Sequence, residues 1–495
     1  MRFKVKENIT EEELKRGLRS VTVDGVMSHL MGVLTGGVFL VAVALKLGAS
    51  NFQIGLLAAI PPLMQLVQLP AIFLIGKFRS RKTVAVYSAL IGRFGFLLIA
   101  LSPFLFSPSI GLLILVISVL FYSGFGGVGG CAWNSWMRDL VPENQMGSFF
   151  SNRLRIATIL GVFVSLLASM FIDFWKKSFP DVEIYAYSGL FLVGFLVGLI
   201  GVLYLSRTPE PAMTVQKTEF LKILTQPFKD VNFRRLMIFL GSWSFAVNLA
   251  APFFTVYMLS RLGLGLSMIV ALSIVSQVFN FTFLSLWGKW ADKFSNKSVL
   301  AVSGPLFMLS ILGWTFTTMP EKYFLTLPIL VIIHIVMGIA IAGVTIASGN
   351  IGLKLAPKGY ATAYLATNAL VSSFAAGIAP ILGGKFADFF AARNLSLVLK
   401  WSSPNREFVF QALNFQHWDF FFGLAFLIGL YALHRLSMVE EHGEVDDEVV
   451  RAEFIDAIKR PIRSLSTGAG LFQIISYPYS FIERGIKYIE KVTQK

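Results

Sequence analysis

The stretch LWGKWADKFSNKSV, Leu286 to Val299, sets Lys289, Asp292, Lys293 and Lys297 between two long apolar runs. A similar interruption, LIGKFRSRKTV, runs from Leu74 to Val84. The two Gly-Lys pairs, Gly76-Lys77 and Gly288-Lys289, lie 212 residues apart. A second pair of like segments is NSWMRDLVPENQMGSFF (Asn134 to Phe150) and GNIGLKLAPKGYATAYL (Gly349 to Leu365). It places Pro142 and Pro357 at a separation of 215 residues. Offsets that agree within three residues read as an internal repeat. The charged stretches are then equivalent short turns in two like halves.

Composition says what surrounds those turns. Of the 495 residues, 55% are hydrophobic and 14% charged, with a mean hydropathy of +0.69. Soluble domains carry about 25% charged residues, so this chain needs lipid around it. The formal charge of +15 is scattered between apolar runs and makes no continuous stripe, which argues against a nucleic-acid partner. The single cysteine, Cys131, rules out an internal disulfide framework and a cysteine metal site. No cofactor or metal is called for. The N-terminal MRFKVKENITEEELKRGLRS is charged throughout and lacks the apolar core of a signal peptide. Thr10 with Glu13 reads as a capping box, opening a short amphipathic helix on the membrane surface within residues 1–20.

A membrane helix needs about 20 largely apolar residues. Twelve candidates follow: 21–46, 52–76, 83–105, 109–135, 148–173, 186–206, 234–260, 266–288, 298–319, 324–350, 361–391 and 417–438. The fold expected is an all-α integral membrane protein of two six-helix bundles, 21–206 and 234–438. A linker at 207–233 joins them, and a tail follows at 439–495. The stretch Ala392 to Gln416 reads as a loop. Lysine and arginine concentrate before span 1, between spans 2 and 3, in the linker and between spans 8 and 9. All of these fall on one side, which places both termini in the cytoplasm. The expected location is the plasma membrane. The halves, each with an even number of spans, are parallel repeats.

At these residues the chain resembles the major facilitator superfamily of secondary transporters, over about residues 20–438. The family's turn between the second and third helix of each half runs roughly Gly-x-x-x-Asp-Arg/Lys-x-Gly-Arg/Lys. GKWADKFSNK matches at Gly288, Asp292, Lys293 and Lys297, with Ser295 near the second glycine position. GKFRSRK keeps Gly76 and its basic residues, Arg81 among them, but lacks the aspartate and reads as shortened. WNSWMRDLVPENQMGSFFSNR also resembles the turn between the fourth and fifth helices of many bacterial members. A carboxylate in such a turn can meet a helix N-terminus or an arginine of the other half. The resemblance sets Asp292 opposite the start of span 5, near Gly147, Ser148 and Arg153. Gly76, Arg81, Gly288, Asp292, Lys293, Lys297 and Arg153 are therefore candidate latch residues. The bland alternative is a turn held by surface charge, worth about 0–1 kcal/mol.

Ionisable groups deep in lipid cost about 2.5–3.5 kcal/mol or more and face the bundle interior or a wet path. The resemblance implies a central cavity lined by spans 1, 4, 7 and 10, which makes His29, Trp243, Asn248 and His334 candidate cavity residues. Each has a plainer reading as packing or as an interhelical hydrogen bond. Arg93 on span 3 needs a partner, or else binds a substrate anion. Asp24, the carboxylate at useful depth on a cavity-lining span, is the candidate coupling residue; its plain reading is a pair with Arg19 or Arg155. Gly126 and Gly130, a GxxxG pair on span 4, read most simply as close helix packing.

The tail carries an acidic stretch, then a basic and aromatic one in which Phe481, Ile482, Ile486 and Ile489 share a helical face. That pattern suits a helix on the anionic cytoplasmic leaflet. The function expected is secondary active transport of a small organic solute by alternating access, coupled to H+ or another cation, by a monomer. The alternatives are a lipid flippase, a lipid-modifying enzyme or a non-transporting receptor. No nucleophile–base motif supports an enzyme. Few deep charges argue mildly for an amphipathic or weakly charged solute, with a carboxylated solute held by Arg93 as the second choice.

Overall fold

The computed structural model describes residues 5–7, 9–213, 225–318, 322–357, 360–403 and 406–441. The expected surface helix of the tail and part of the linker lie outside them. Among the described residues, twelve helical spans are long and apolar enough to cross a bilayer. They are span 1 (Glu11–Lys46), 2 (Asn51–Phe78), 3 (Arg81–Leu105), 4 (Pro108–Leu140), 5 (Glu143–Ser178), 6 (Pro180–Arg207), 7 (Val231–Arg261), 8 (Leu266–Lys293), 9 (Asn296–Thr317), 10 (Thr326–Leu355), 11 (Ala363–Phe390) and 12 (Trp418–Ser437). At about 1.5 Å per residue, even the shortest reaches across a hydrocarbon core of about 30 Å. Large apolar side chains cover the outside: Phe73, Phe163 and Leu167 are 73%, 61% and 67% exposed. In water such a surface would aggregate; in lipid it is solvated.

The expected separate N-terminal helix is instead the beginning of span 1. Thr10 and Glu13 do form the capping box, but the helix then runs unbroken from Glu11 to Thr35. Nothing stops it at residue 20. Span 1 breaks only at Gly36, and Gly37 takes φ +50°, a left-handed conformation that costs a glycine little.

The halves repeat at the level of contacts. In the first, spans 1·5, 1·6, 2·4, 3·4 and 3·6 pack together; in the second, their images 7·11, 7·12, 8·10, 9·10 and 9·12 do. Helix ends fix the offset: Lys46 and Arg261, Phe78 and Lys293, and Leu140 and Leu355 each lie 215 apart. So do the capping serines Ser80 and Ser295. The two Gly-Lys pairs are therefore one helical turn out of register. Lys77, rather than a gap, occupies the place of Asp292, and the first turn is not shortened.

Each half also clasps itself. After span 6, Glu210 accepts from Ser80 Oγ (2.7 Å) and the Arg81 N–H (2.5 Å) at the start of span 3. After span 12, Glu441 accepts from the N–H groups of Asn296 (3.3 Å) and Lys297 (2.7 Å) at the start of span 9. Lys354 adds an ion pair at 2.9 Å. Burial alone would raise the Glu441 pKa, but Lys354, Lys297 and Asn296 more than offset it and hold the pKa below the usual 4.5. A depressed carboxylate stabilises above its unfolded pKa and loses that contribution as pH falls through the folded one. The stability gap between the wild-type chain and Glu441→Gln should thus be widest near neutral pH and close below about pH 4.5, read from melting curves across pH.

Between spans 11 and 12 the expected loop is a β-hairpin, β1 (Asn394–Ser403) and β2 (Arg406–Gln416), antiparallel with one register shift at Leu397/Val398. Trp401 and Phe408 face each other across it and are 75% and 65% exposed. Alternating apolar residues in NLSLVLKW favour the strand.

The closest packing between halves joins span 2 to 11 and span 5 to 8, each pair the image of the other. It lies at the rim remote from the chain's start. There Asp388 accepts from the N–H groups of Asn51 (3.2 Å) and Phe52 (3.0 Å) and from the Asn51 side chain (2.9 Å). Asp173 accepts from the N–H groups of Leu266 (2.9 Å) and Ser267 (2.8 Å) and from the Ser267 hydroxyl (2.6 Å). Both carboxylates sit on helix N-termini of the opposite half, where the free N–H groups and the helix dipole favour an anion. Backbones touch here: a Cβ on Gly384 would stand 2.4 Å from the Asn51 carbonyl oxygen. Gly384→Ala should therefore loosen this rim and cost about 1–3 kcal/mol, measured by unfolding in mixed micelles.

Candidate functional site

A cavity of about 310 Å³ lies inside the first half, lined from spans 1, 3, 4, 5 and 6. Its charged groups are Asp24, Arg93 and Arg153. Asp24 and Arg93 are 4% and 5% exposed. Arg93 donates to Ser28 Oγ (2.7 Å) and to the Gly198 carbonyl, with the Asp24 carboxylate 3.8 Å away. Ser28 donates in turn to Asp24 (3.2 Å), so the hydroxyl bridges the pair. Asp24 is thus paired with Arg93, not with Arg19 or Arg155 as the plain reading had it. One residue expected to couple and one expected to need a partner are a single unit. Desolvating either alone would be costly, and together they nearly neutralise each other.

Arg153 enters from span 5. Its Nε donates to the Val21 carbonyl (3.2 Å), and its guanidinium lies 4.9 Å from the centre of the Trp133 ring. It crowds Gly25, where a Cβ would come within 1.8 Å of Nε. One carboxylate against two guanidiniums leaves the cavity one positive charge in excess. On the floor, Gly126 and Gly130 have nothing within 4 Å of an added Cβ. They are not the close-packing pair expected of them. Gly127 takes that part against the Met64 carbonyl, at 2.6 Å. The helix turns Gly126 and Gly130 toward empty space, and bare backbone there makes room.

A second cavity of about 460 Å³ lies between the halves, lined by spans 1, 5 and 8. Ser28 lines both cavities. His29 opens into this one with Thr158, Ser165, Ser273 and Gln277, beside the break in span 1 at Gly36 and Gly37. Ionisable and polar side chains thus run from the Asp24–Arg93 pair to the seam between halves.

The remaining candidates lie elsewhere. Trp243 is buried in the second half, its ring 5.7 Å from Phe307 and 6.3 Å from Phe239. His334 Nδ1 is 2.7 Å from the Leu330 carbonyl, with the Trp314 ring 5.7 Å away. Asn248 donates to Ser244 of its own helix, at 2.8 Å. None of the three lines either cavity.

The contacts described for Arg81, Lys293, Lys297 and Arg153 stay within their own halves. Arg81 is 1% exposed and donates to the Asp139 carboxylate, the Ser135 carbonyl (3.1 Å) and the Pro211 carbonyl (2.8 Å). Lys297 donates to the Ser437 carbonyl (3.4 Å), and Lys293 lies over the Phe294 ring (4.6 Å). Gly76 has nothing within 4 Å of an added Cβ, and Gly288 meets only Ile346. Asp292 is exposed and has no hydrogen bond to a described residue. Its expected neighbour Arg153 points into the first cavity instead. The contact imagined for Asp292, a carboxylate on the other half's helix N-terminus, occurs at Asp173 and Asp388 on the opposite rim.

Against this geometry stands a family match. Residues 25–380 match the model of the Major Facilitator Superfamily. The chain belongs to that superfamily. It is similar to an uncharacterised MFS-type transporter, YxiO, of Bacillus subtilis (strain 168), 24% identical over 289 residues. The alignment covers 53% of this chain and spans 63% of that relative's length. Among solved structures it is similar to the nucleoside transporter NupG, with TM-score 0.60 and 13% identity over 86% of this chain and 100% of that one. It is also similar to a bacterial homologue of the human lysosomal transporter Spinster, inward-facing and unoccupied. There the TM-score is 0.56 and the identity 18%, over 77% and 84% of the two chains. At such identities the likeness is one of fold. The protein is a multi-pass membrane protein of a superfamily of solute transporters, built as two six-helix bundles.

Proposed function

We propose that this superfamily member is a secondary active transporter that moves a small organic solute by alternating access, coupled to H+ or another cation through Asp24. The observation that carries the reading is the one-sided seam. Two carboxylate-capped helix starts tie the halves together at one rim, while Asp292, Arg81 and Arg153 at the other reach no group across it among the described residues. A cavity between the halves, linked through Ser28 to a buried ion pair, is what a rocking carrier needs at its centre. Basic loops on the rim that carries the chain's start favour a cytoplasmic placement of that rim, so the state described faces inward in the plasma membrane.

Reconstituted into liposomes and offered a metabolite mixture, the chain should accumulate solute under an imposed pH or sodium gradient, read by mass spectrometry. Asp24→Asn/Arg93→Gln, which leaves neither member of the pair as a lone buried charge, should abolish the dependence on the gradient while leaving exchange of solute across the membrane. Absence of both accumulation and exchange in liposomes of either orientation would sink the reading.

A further inference from the structure

We infer that the cavity in the first half is an anion subsite: it takes the carboxylate of an amphipathic organic monoanion, with Arg153 as the main contact. This rests on the transport reading and adds the chemical class of the solute. The charge count comes first. Asp24 is hydrogen-bonded and paired to Arg93 through Ser28 and also faces Arg153, so one carboxylate serves two guanidiniums and one positive charge is left over, with Arg153 the less tightly held of the two. That guanidinium commits Nε to Val21, packs against Gly25, and leaves Nη1 and Nη2 without a hydrogen bond among the described residues. A guanidinium has the planar, two-pronged donor geometry that fits a carboxylate.

The neutral donors agree. Among the described residues, Trp133 Nε1 is buried without a hydrogen-bond partner and the Tyr122 hydroxyl makes no hydrogen bond. Both line the same cavity as Arg153. A buried donor normally has an acceptor. Arg153 and Trp133 can only donate, and Tyr122 can donate, which favours an anion over a cation here.

The rest of the wall is apolar: Met31, Phe125 and Leu205, with Gly126 and Gly130 leaving open backbone between them. A cavity of about 310 Å³ suits a ligand of drug size or smaller. The solute is therefore a compact molecule with one acidic head and an apolar body.

Matched probes test this on the purified full-length chain. 4-Phenylbutyrate, 4-phenylbutyramide and 4-phenylbutylamine share a body and differ in head; phenyl phosphate tests whether the head can be a phosphate. In thermal-shift titrations the carboxylate should raise the melting temperature, while the amide and the amine should not. A shift from phenyl phosphate alone would overturn the carboxylate assignment. Arg153→Gln should weaken the carboxylate's effect at least about tenfold, and Arg153→Lys less than Arg153→Gln. Gly130→Leu fills the floor without touching a charge and should also remove binding. It guards against an Arg153 variant that fails to fold.

Amine binding as strong as the carboxylate's, no response to any of the four probes, or a carboxylate response that survives both Arg153→Gln and Gly130→Leu overturns the inference. Gradient-driven uptake confined to neutral or cationic solutes would overturn it and leave transport standing. Anion binding without transport would do the reverse.

Discussion

Arg93→Gln should be the most damaging single change in the first half, lowering stability by about 3–5 kcal/mol. The substitution removes the partner of a carboxylate that is 4% exposed inside a membrane bundle. Glutamine can still donate to Ser28, but it brings no charge to Asp24. The double variant Asp24→Asn/Arg93→Gln should recover most of the loss, because two neutral groups can hydrogen-bond where one lone charge cannot be solvated. Unfolding in mixed SDS micelles measures both. If Arg93→Gln falls within about 0.5 kcal/mol of the wild-type chain, the change behaves as an ordinary surface substitution, and the pair is not the electrostatic unit its geometry describes.

The second large effect concerns the seam. Asp173→Asn together with Asp388→Asn keeps the shape of both caps and removes both charges. Hydrogen bonds to charged groups contribute about 1.5–3 kcal/mol each. Asparagine retains part of that, so the pair of changes should shift the balance between the two rims by roughly 3 kcal/mol, or roughly a hundredfold in population. Spin labels at positions 147 and 292, placed in a Cys131→Ala background, would report the opposite rim. Their separation should shorten as that rim closes. An unchanged distance distribution would mean that the carboxylates decorate the seam without holding it.

Much of this architecture was legible because lipid demands long apolar runs and because the chain repeats itself. Twelve spans and two halves follow from those facts. The register was harder. Gly-Lys pairs look alike, but the helix starts at Ser80 and Ser295 set the true alignment, one turn away. The spacing of Asp173 and Asp388 equals the offset given by Pro142 and Pro357, so the seam could have been found by asking which carboxylates recur at that interval.

The cavity was only half legible. Asp24 and Arg93 stand out as charges in apolar runs; Arg153, next to Asn152 and near Arg155, reads only as a latch residue. Their meeting depends on the rotation of spans 1, 3 and 5 about their own axes, and near-uniform hydrophobicity leaves that rotation unmarked. Trp243 and His334 entered the candidate set because the resemblance put spans 7 and 10 at a cavity; both are buried among neighbours in the second half and line neither cavity described. Gly126 and Gly130 were misjudged for a related reason: a small residue serves equally to admit a neighbouring backbone or to leave a void, and spacing alone does not choose.

The inward-turned clasps made by Glu210 and Glu441 have a mechanical corollary. Each ties the far end of a six-span unit back to that unit's own third member, so neither unit needs to deform when the protein changes state. In the proposed transport cycle, motion would then be confined to the partition between two stiff blocks, and a drug wedged into that partition would arrest it without unfolding anything.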